Sequence, residues 1–348
     1  MSEKIPIGAI LTDLHLSEDS IATVDSIFDQ TIEFCTDNEI KSIFFVGDLF
    51  HSRKAQTQLL LTTFENILDR ISKAGLQLIS IVGNHDKTDY DAKESFLSPY
   101  KHHPALELIE ESAITTDWNG LNIAFLSYFS DSIYIEKLKE LTSKIKKEDN
   151  VILFTHIGVE GAVMNSGFPV ESEIKGNAFK KFKQVYVGHY HDEQEFANIH
   201  YIGSSRQHDF GESVNKGMKV LYNDGSVEQI ELAFPRYITY QIAVKDLTNK
   251  DLEELKEWKE ATEDFYRVQL LGEEKDLKAY NIQALKAIGV KVELKQEDIE
   301  IADLQTRIEP FNPDTLAEQF KSFCEENKLD YPIGYEYFKT VISSCTAQ

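Results

Sequence analysis

Six short apolar runs rich in Ile, Val and Phe limit what this chain can fold into: Ile7 to Leu11, Ser42 to Val46, Leu78 to Val82, Leu121 to Leu126, Val151 to Phe154 and Val185 to Val187. Each has the length of a strand and no polar alternation, which predicts strands buried on both faces. Helical patterns lie between the early runs, at Ile21 to Thr36 and Thr57 to Ala74, the second closed by Gly75 where a helix C-cap belongs. Alternating strand and helix predicts βαβ units, an α/β protein with helices layered over sheet.

From about Gly203 the rhythm changes to hairpins, with Tyr222-Asn223-Asp224-Gly225 between two apolar runs. After Pro235 a second unit begins: strand Tyr237 to Val244, helix Asn249 to Thr262, strand Phe265 to Leu271, helix Asp276 to Ile288 and strand Lys291 to Leu294. An acidic stretch around Glu297, Asp298, Glu300 and Asp303 reads as a solvated linker. It leads past Pro310 and Pro313 to a last helical pair, Leu316 to Asn327 and Tyr335 to Ile342. The expected division is 1-235, 236-310 and 311-348.

With 348 residues, 42% hydrophobic and 27% charged, the chain is long enough for a large domain plus a smaller one. The start, MSEKIPIGAILTDLH, has too short an apolar run for a signal peptide, and no run is long enough to span a membrane. Cys35, Cys324 and Cys345 are far apart and without CxxC spacing, which implies neither disulfides nor a zinc knuckle and fits a reducing cytoplasm. The formal net charge of -23 argues against a generic electrostatic grip on nucleic acid.

The chemistry is written at the strand ends. The first run ends in Asp13-Leu14-His15, the second in Gly47-Asp48-Leu49-Phe50-His51, the third in Gly83-Asn84-His85-Asp86, and later ones in Thr155-His156 and Gly188-His189-Tyr190-His191. Ligands of open α/β sheets bind outside the carboxyl ends of the strands, so these scattered groups can converge. Carboxylate, imidazole and amide oxygen together suit manganese, iron or zinc better than calcium or magnesium. Asp48 is the obvious carboxylate to bridge two cations. A single strand-end Asp more often caps a turn, but five such ends are better explained by one shared site. His102, His103 and His200 lack this setting and are expected to be ordinary hydrogen-bonded side chains.

The succession DxH, GDxxH, GNHD, a lone His and GHxH resembles the calcineurin-like metallophosphoesterases over about the first 210 residues. That resemblance implies a four-layered α/β/β/α sandwich and two divalent metal ions. It implies one metal held by Asp13, His15, Asp48 and His191, and a second held by Asp48, Asn84, His156 and His189. It also implies in-line attack at phosphorus by a hydroxide bridging the two cations, with His85 protonating the leaving oxygen. His51 would orient the phosphate or support a ligand carboxylate. Asp86 would orient His85 or close the turn.

Within that superfamily, "VGDLFHSRKAQTQ" and "YIGSSRQHDFGE" with "KGMKVLY" depart from the GDxxDRG and GNHE of protein phosphatases. They resemble SbcD-type nuclease subunits of the DNA double-strand-break repair complex, including phage versions. The resemblance implies a manganese-dependent DNA exonuclease and single-strand endonuclease, homodimeric, with a small α+β capping domain. It also implies a C-terminal helical segment docking on an SbcC-like ATPase of the SMC type. The rival expectations are a phosphodiesterase for small nucleotides or lipid intermediates without a partner, and a scaffold that recruits an ATPase to DNA ends. Basic residues cluster at Arg53 and Lys54, and from Lys175 to Lys183 around Phe179 and Phe182; the second cluster is expected to be an ordinary solvated helix.

Overall fold

The computed structural model describes residues 4–296, apart from 119, 147, 148 and 165, and residue 321. The C-terminal helical segment expected over 311-348 and the acidic linker lie outside the described residues.

Two six-stranded sheets stack face to face. The first has the order β12-β11-β1-β2-β3-β4, built from Pro6–Leu11 (β1), Ser42–Val46 (β2), Gln77–Ile81 (β3), Leu106–Ile109 (β4), Gly217–Tyr222 (β11) and Val227–Glu231 (β12). The second has the order β5-β6-β7-β8-β10-β9, from Ser112–Trp118 (β5), Leu121–Leu126 (β6), Val151–His156 (β7), Gln184–Gly188 (β8), Gln194–Phe196 (β9) and Ile199–Tyr201 (β10). Helices α1 (Ile21–Asp37) and α2 (Gln58–Lys73) cover the outer face of the first sheet, and α3 (Asp131–Ser143) covers that of the second.

Three apolar layers separate these four, and the strand pleat sorts residues among them. In β2, Ile43 and Phe45 face the helices while Phe44 and Val46 face the other sheet. In β7, Leu153 faces α3 while Ile152 and Phe154 face inward. The central strands therefore need apolar side chains at every position, which is why their sequence does not alternate. This is the α/β/β/α sandwich expected from the sequence.

Helix α2 starts where Thr57 accepts a hydrogen bond from Leu60 N and stops at Ala74, with Gly75 at φ +69. The β11–β12 turn closes as expected, Tyr222 N donating to Ser226 O with Gly225 at φ +84. One expectation fails at Lys175 to Lys183. Gly176–Phe179 forms a single 3-10 turn, Phe179 and Phe182 are buried in the core under α3, and Lys181 and Lys183 donate to backbone carbonyls of Ile145 and Asp224. Burial of the two rings makes the segment an anchored loop.

Residues past Pro235 form a separate sheet, β13 (Tyr237–Ala243), β14 (Phe265–Gly272) and β15 (Lys291–Gln296), parallel and in that order. Helices α4 (Asn249–Ala261), α5 (Glu274–Ala279) and α6 (Gln283–Ile288) pack on one face through Leu255, Val268, Leu270, Leu277 and Leu285. The single helix expected over Asp276 to Ile288 is broken. Tyr280 turns to an extended backbone (φ -75, ψ 131), and Asn281 Oδ1 accepts from Gln283 N at 3.0 Å to start the next helix.

Candidate metal centre

All five polar strand ends meet at one edge of the sandwich. The tails of β1 and β2 keep pairing beyond the sheet, with Asp13 N donating to Gly47 O at 3.0 Å, His15 N to Asp48 O at 3.1 Å and His51 N to Leu16 O at 3.0 Å. Asp13 (φ 51), His15 (φ 46), Asp48 (φ 58) and His189 (φ 91) all adopt positive φ, which turns their side chains into the crevice. For residues other than glycine, that conformation costs about 1–3 kcal/mol each and concentrates at functional sites.

The glycines preceding these residues permit the approach of the strands. A Cβ on Gly83 would lie 2.2 Å from Asp48 Oδ1, and one on Gly188 would lie 2.6 Å from Thr12 Oγ1 and 2.7 Å from His156 Nδ1. The glycines of the GD and GH blocks are thus spaces into which His156 and Thr12 of the facing sheet fit, and that of GNHD leaves room for the neighbouring strand's Asp48.

Two clusters share Asp48. In one, His15 Nε2 lies 3.1 Å from His191 Nε2, 3.9 Å from Asp13 Oδ1 and 3.7 Å from Asp48 Oδ2. In the other, His156 Nε2 lies 3.2 Å from both Asp48 Oδ2 and Asn84 Oδ1, and His189 Nδ1 lies 2.8 Å from Asn84 Oδ1. Ligand atoms of Asp13, His15 and His191, and of Asp48, His156 and His189, fall within 4.8 Å of one another.

These residues fit a pair of cations. Asp13 and Asp48 are buried, and the ion-pair partners found for them are all histidines. Buried carboxylates without a permanent cation are costly. Two outward ring nitrogens are also held: His156 Nδ1 meets Val46 O at 2.8 Å and His191 Nδ1 meets Glu212 Oε1 at 2.6 Å, leaving both Nε2 atoms for the centre. Burial opposes charge on His156, but Asp48 and Asp13 outweigh it and push its pKa up to about 9. Burial, with His156 alongside, pulls His189 down to about 3.

His85 stands beside the clusters. Its backbone N–H donates to Asp48 Oδ1 at 2.7 Å, its Nδ1 meets His51 O at 2.6 Å, and Arg53 Nη2 faces its Nε2 at 2.7 Å. A guanidinium only donates, so Nε2 accepts and Nδ1 carries the proton. The His51 ring is exposed, 6.0 Å from that of His85 between centroids; among the described residues it bonds neither Asp13 nor Asp48. Asp86 accepts from Gly83 N at 2.9 Å, Asp48 N at 2.9 Å and Phe50 N at 3.0 Å, so one carboxylate closes its own turn and pins the Asp48 loop. His103 pairs with Asp69 and His200 with Gln184 and Glu195, away from the centre.

Sequence reasoning passed over His208, Glu212 and Tyr90. Glu212 Oε1 holds His191 Nδ1 and His208 Nδ1 together, at 2.6 and 3.1 Å, and the His208 ring sits edge-on to His15 at 4.9 Å. Burial brings His208 down to about 4. Their signal was present in the quoted "RQHDFGE", where an acid follows a histidine by four residues, but it has no strand-end setting. Tyr90 Oη accepts from Arg53 Nη1 at 2.6 Å and so fixes the guanidinium at the mouth of the site.

The centre opens into a cleft of 560 Å³, in whose lining Arg53 is the sole Lys or Arg among the described residues. A two-sheet sandwich that gathers carboxylate, amide and imidazole donors at its strand ends, beneath an open cleft, defines a metal-dependent phosphoester hydrolase. Residues 9–193, more than half of the chain, match the calcineurin-like phosphoesterases, and the chain belongs to that family.

The chain is 25% identical to exonuclease subunit 1 of Enterobacteria phage T4 over 297 residues, covering 81% of this chain and 83% of the phage protein. It is 27% identical to the phosphoesterase 244L of Invertebrate iridescent virus 6 over 250 residues, covering 68% of this chain and 85% of the viral one. The solved nuclease MPE of Pseudomonas putida aligns with a TM-score of 0.31 and 13% identity, over 64% of this chain and 87% of that one.

Proposed function

We propose that this chain is a two-metal DNA phosphodiesterase, an exonuclease and single-strand endonuclease that works as the nuclease subunit beside an SbcC-like, SMC-type ATPase. The observation that carries this reading is the convergence of five strand ends on Asp48 with His85 next to it. It is supported by a relative called an exonuclease subunit that aligns along four-fifths of both chains.

Asp13, His15, Asp48 and His191 would hold one cation, and Asp48, Asn84, His156 and His189 the other; the mixed oxygen and nitrogen donors favour Mn2+, with Fe2+ and Zn2+ as alternatives. When bound, the pair supplies a nucleophile at neutral pH and neutralises charge on the transferring phosphorus centre.

The chain's own residues do the rest. The guanidinium of Arg53 takes a non-bridging phosphate oxygen, and leaving His85 it frees Nε2 to face the departing oxygen. Nε2 then takes up a proton from solvent, and the imidazolium passes it to the departing oxygen while Nδ1–H stays bonded to His51 O, which keeps the ring in line. Through that carbonyl and its exposed ring, His51 orients both His85 and the phosphate.

The domain assignment follows the same reading: residues 1-235 as the nuclease domain, 236-310 as a capping domain and 311-348 as the ATPase-docking region of a cytoplasmic homodimer. At a net charge of -23, metal charge and the ATPase surface together supply the attraction for DNA that the chain lacks. Labelled DNA and a small chromogenic phosphodiester, each assayed with Mn2+, test the proposal. Cleavage of both supports it, and hydrolysis of the small ester alone assigns the site to small nucleotides or lipid intermediates.

A further inference from the structure

Between β7 and the 3-10 turn, residues 161 to 170 read GAVMNSGFPV, a stretch without a single charged side chain in a chain that is 27% charged, flanked by Glu160 and Glu171. Its described residues form a narrow hairpin. Val163 and Pro169 pair antiparallel, Val170 N donates to Ala162 O at 2.8 Å, and Met164 N donates to Phe168 O at 2.8 Å. The base is rigid: Ala162 and Val170 belong to the core under α3, and the Gln194 side chain bonds both Val163 N and Val163 O, at 2.7 and 2.8 Å.

The tip is apolar and in the open. Phe168 is 67% exposed, more than any other large apolar side chain among the described residues, and Val163 and Met164 are exposed beside it. Met164 lines the same cleft as Asn84 and His189. A hairpin that keeps an exposed Met in the lining of the cleft and an exposed Phe beside it offers an apolar surface of the kind that marks an interaction site.

We infer that this hairpin is a base-contacting wedge: Phe168 and Met164 stack on the unpaired bases next to the scissile phosphate and keep them apart from their complement. The inference rests on the nuclease reading above. A phosphodiester at the strand ends places its flanking bases at the cleft rim, where Met164 stands. Apolar side chains pushed between base steps unstack them, and an aromatic ring receives a base whatever its sequence. Such contact needs no positive charge, so it suits a chain whose own electrostatics repel phosphate.

The test uses the full-length chain with Mn2+ and three substrates: a blunt duplex with 2-aminopurine in its terminal base pairs, the corresponding single strand, and a small chromogenic phosphodiester. Phe168→Ala and Met164→Ala should slow duplex cleavage about tenfold, the scale of one lost base stack. Both should also abolish the 2-aminopurine fluorescence rise and slow the single strand less, and Phe168→Ala, at a side chain outside the cleft lining, should leave the small ester unchanged. Phe168→Trp should restore duplex cleavage.

Equal duplex cleavage and equal fluorescence in wild type and Phe168→Ala overturn the wedge while the nuclease reading stands. An equal loss on the small ester overturns it in favour of a structural role. A fall in sedimentation mass with Phe168→Ala overturns it in favour of a contact between copies. Wild-type protein that hydrolyses the small ester but neither binds nor cuts DNA sinks the nuclease reading, and the wedge with it.

Discussion

The strand ends of the sandwich and those of the small C-terminal sheet start from the same local plan and end differently. Both have parallel runs, β1-β2-β3-β4 and β6-β7-β8-β10 in the sandwich and β13-β14-β15 in the small sheet, with α-helices between several of the strands. Yet at or just past the ends of β1, β2, β3, β7 and β8 stand Asp, Asn and His groups that converge on one crevice, while β13 is followed by Val244-Lys245-Asp246 and β14 by Glu273-Glu274, without a histidine among them. In the small sheet one face is apolar, through Val268 and Leu270, and the other carries a polar row in which Gln269 bonds Gln241 and Glu293. In the sandwich, strands are buried on both faces, and a second sheet brings a further set of ends to the same edge. A parallel sheet alone therefore makes no site. The site needs a facing sheet, glycines that let the two approach, and left-handed backbone at Asp13, His15, Asp48 and His189 to aim the donors.

The sharpest way to break this comparison is His85→Ala, because it removes the proposed proton donor and leaves the donor set of the strand ends. DNA cleavage should fall by about 10²–10⁴-fold, the usual worth of a positioned acid, with metal content by elemental analysis unchanged. Loss of metal along with activity would place His85 among the ligands. Next in size is Glu212→Gln, which weakens the grip on His191 Nδ1. Mn2+ affinity should fall about 10–100-fold by calorimetry.

The pH dependence follows from His156, whose pKa is pushed up to about 9 by Asp48 and Asp13 despite burial. Below that value the imidazolium must lose its proton before Nε2 can bind a cation. Mn2+ affinity should therefore rise with pH, about tenfold per unit for one displaced proton, and level off above about 9. A flat profile between pH 6 and 8 would contradict it. The smallest effect belongs to the other sheet: Gln296→Ala, at an exposed strand end, should change stability by no more than about 0.5 kcal/mol in denaturant titration, with metal affinity untouched.

How much of this was legible depends on whether the signal was local. The runs Ser42 to Val46 and Leu121 to Leu126 are strands with those bounds, because continuous apolar character at strand length has few alternatives. The DxH, GDxxH and GNHD blocks point to the centre because each stacks a glycine or apolar strand against a donor. Glu212 and His208 escaped because their role lies in what they touch across the fold. Asp86 was half legible: closure of its own turn is a three-residue event, but its bonds to Asp48 N and Phe50 N join segments 38 and 36 residues apart. The broken helix at Tyr280 escaped because a single Asn restarts it within two residues.

The claim on which the rest depends is that Asp48 joins two metal sites, each with ligands from both sheets. Equilibrium Mn2+ binding to the wild-type chain and to Asp48→Ala, with folding checked by circular dichroism, tests it directly. The expected result is two ions per wild-type chain and none per folded Asp48→Ala chain. Retention of either ion at wild-type affinity in the folded variant would contradict a shared carboxylate.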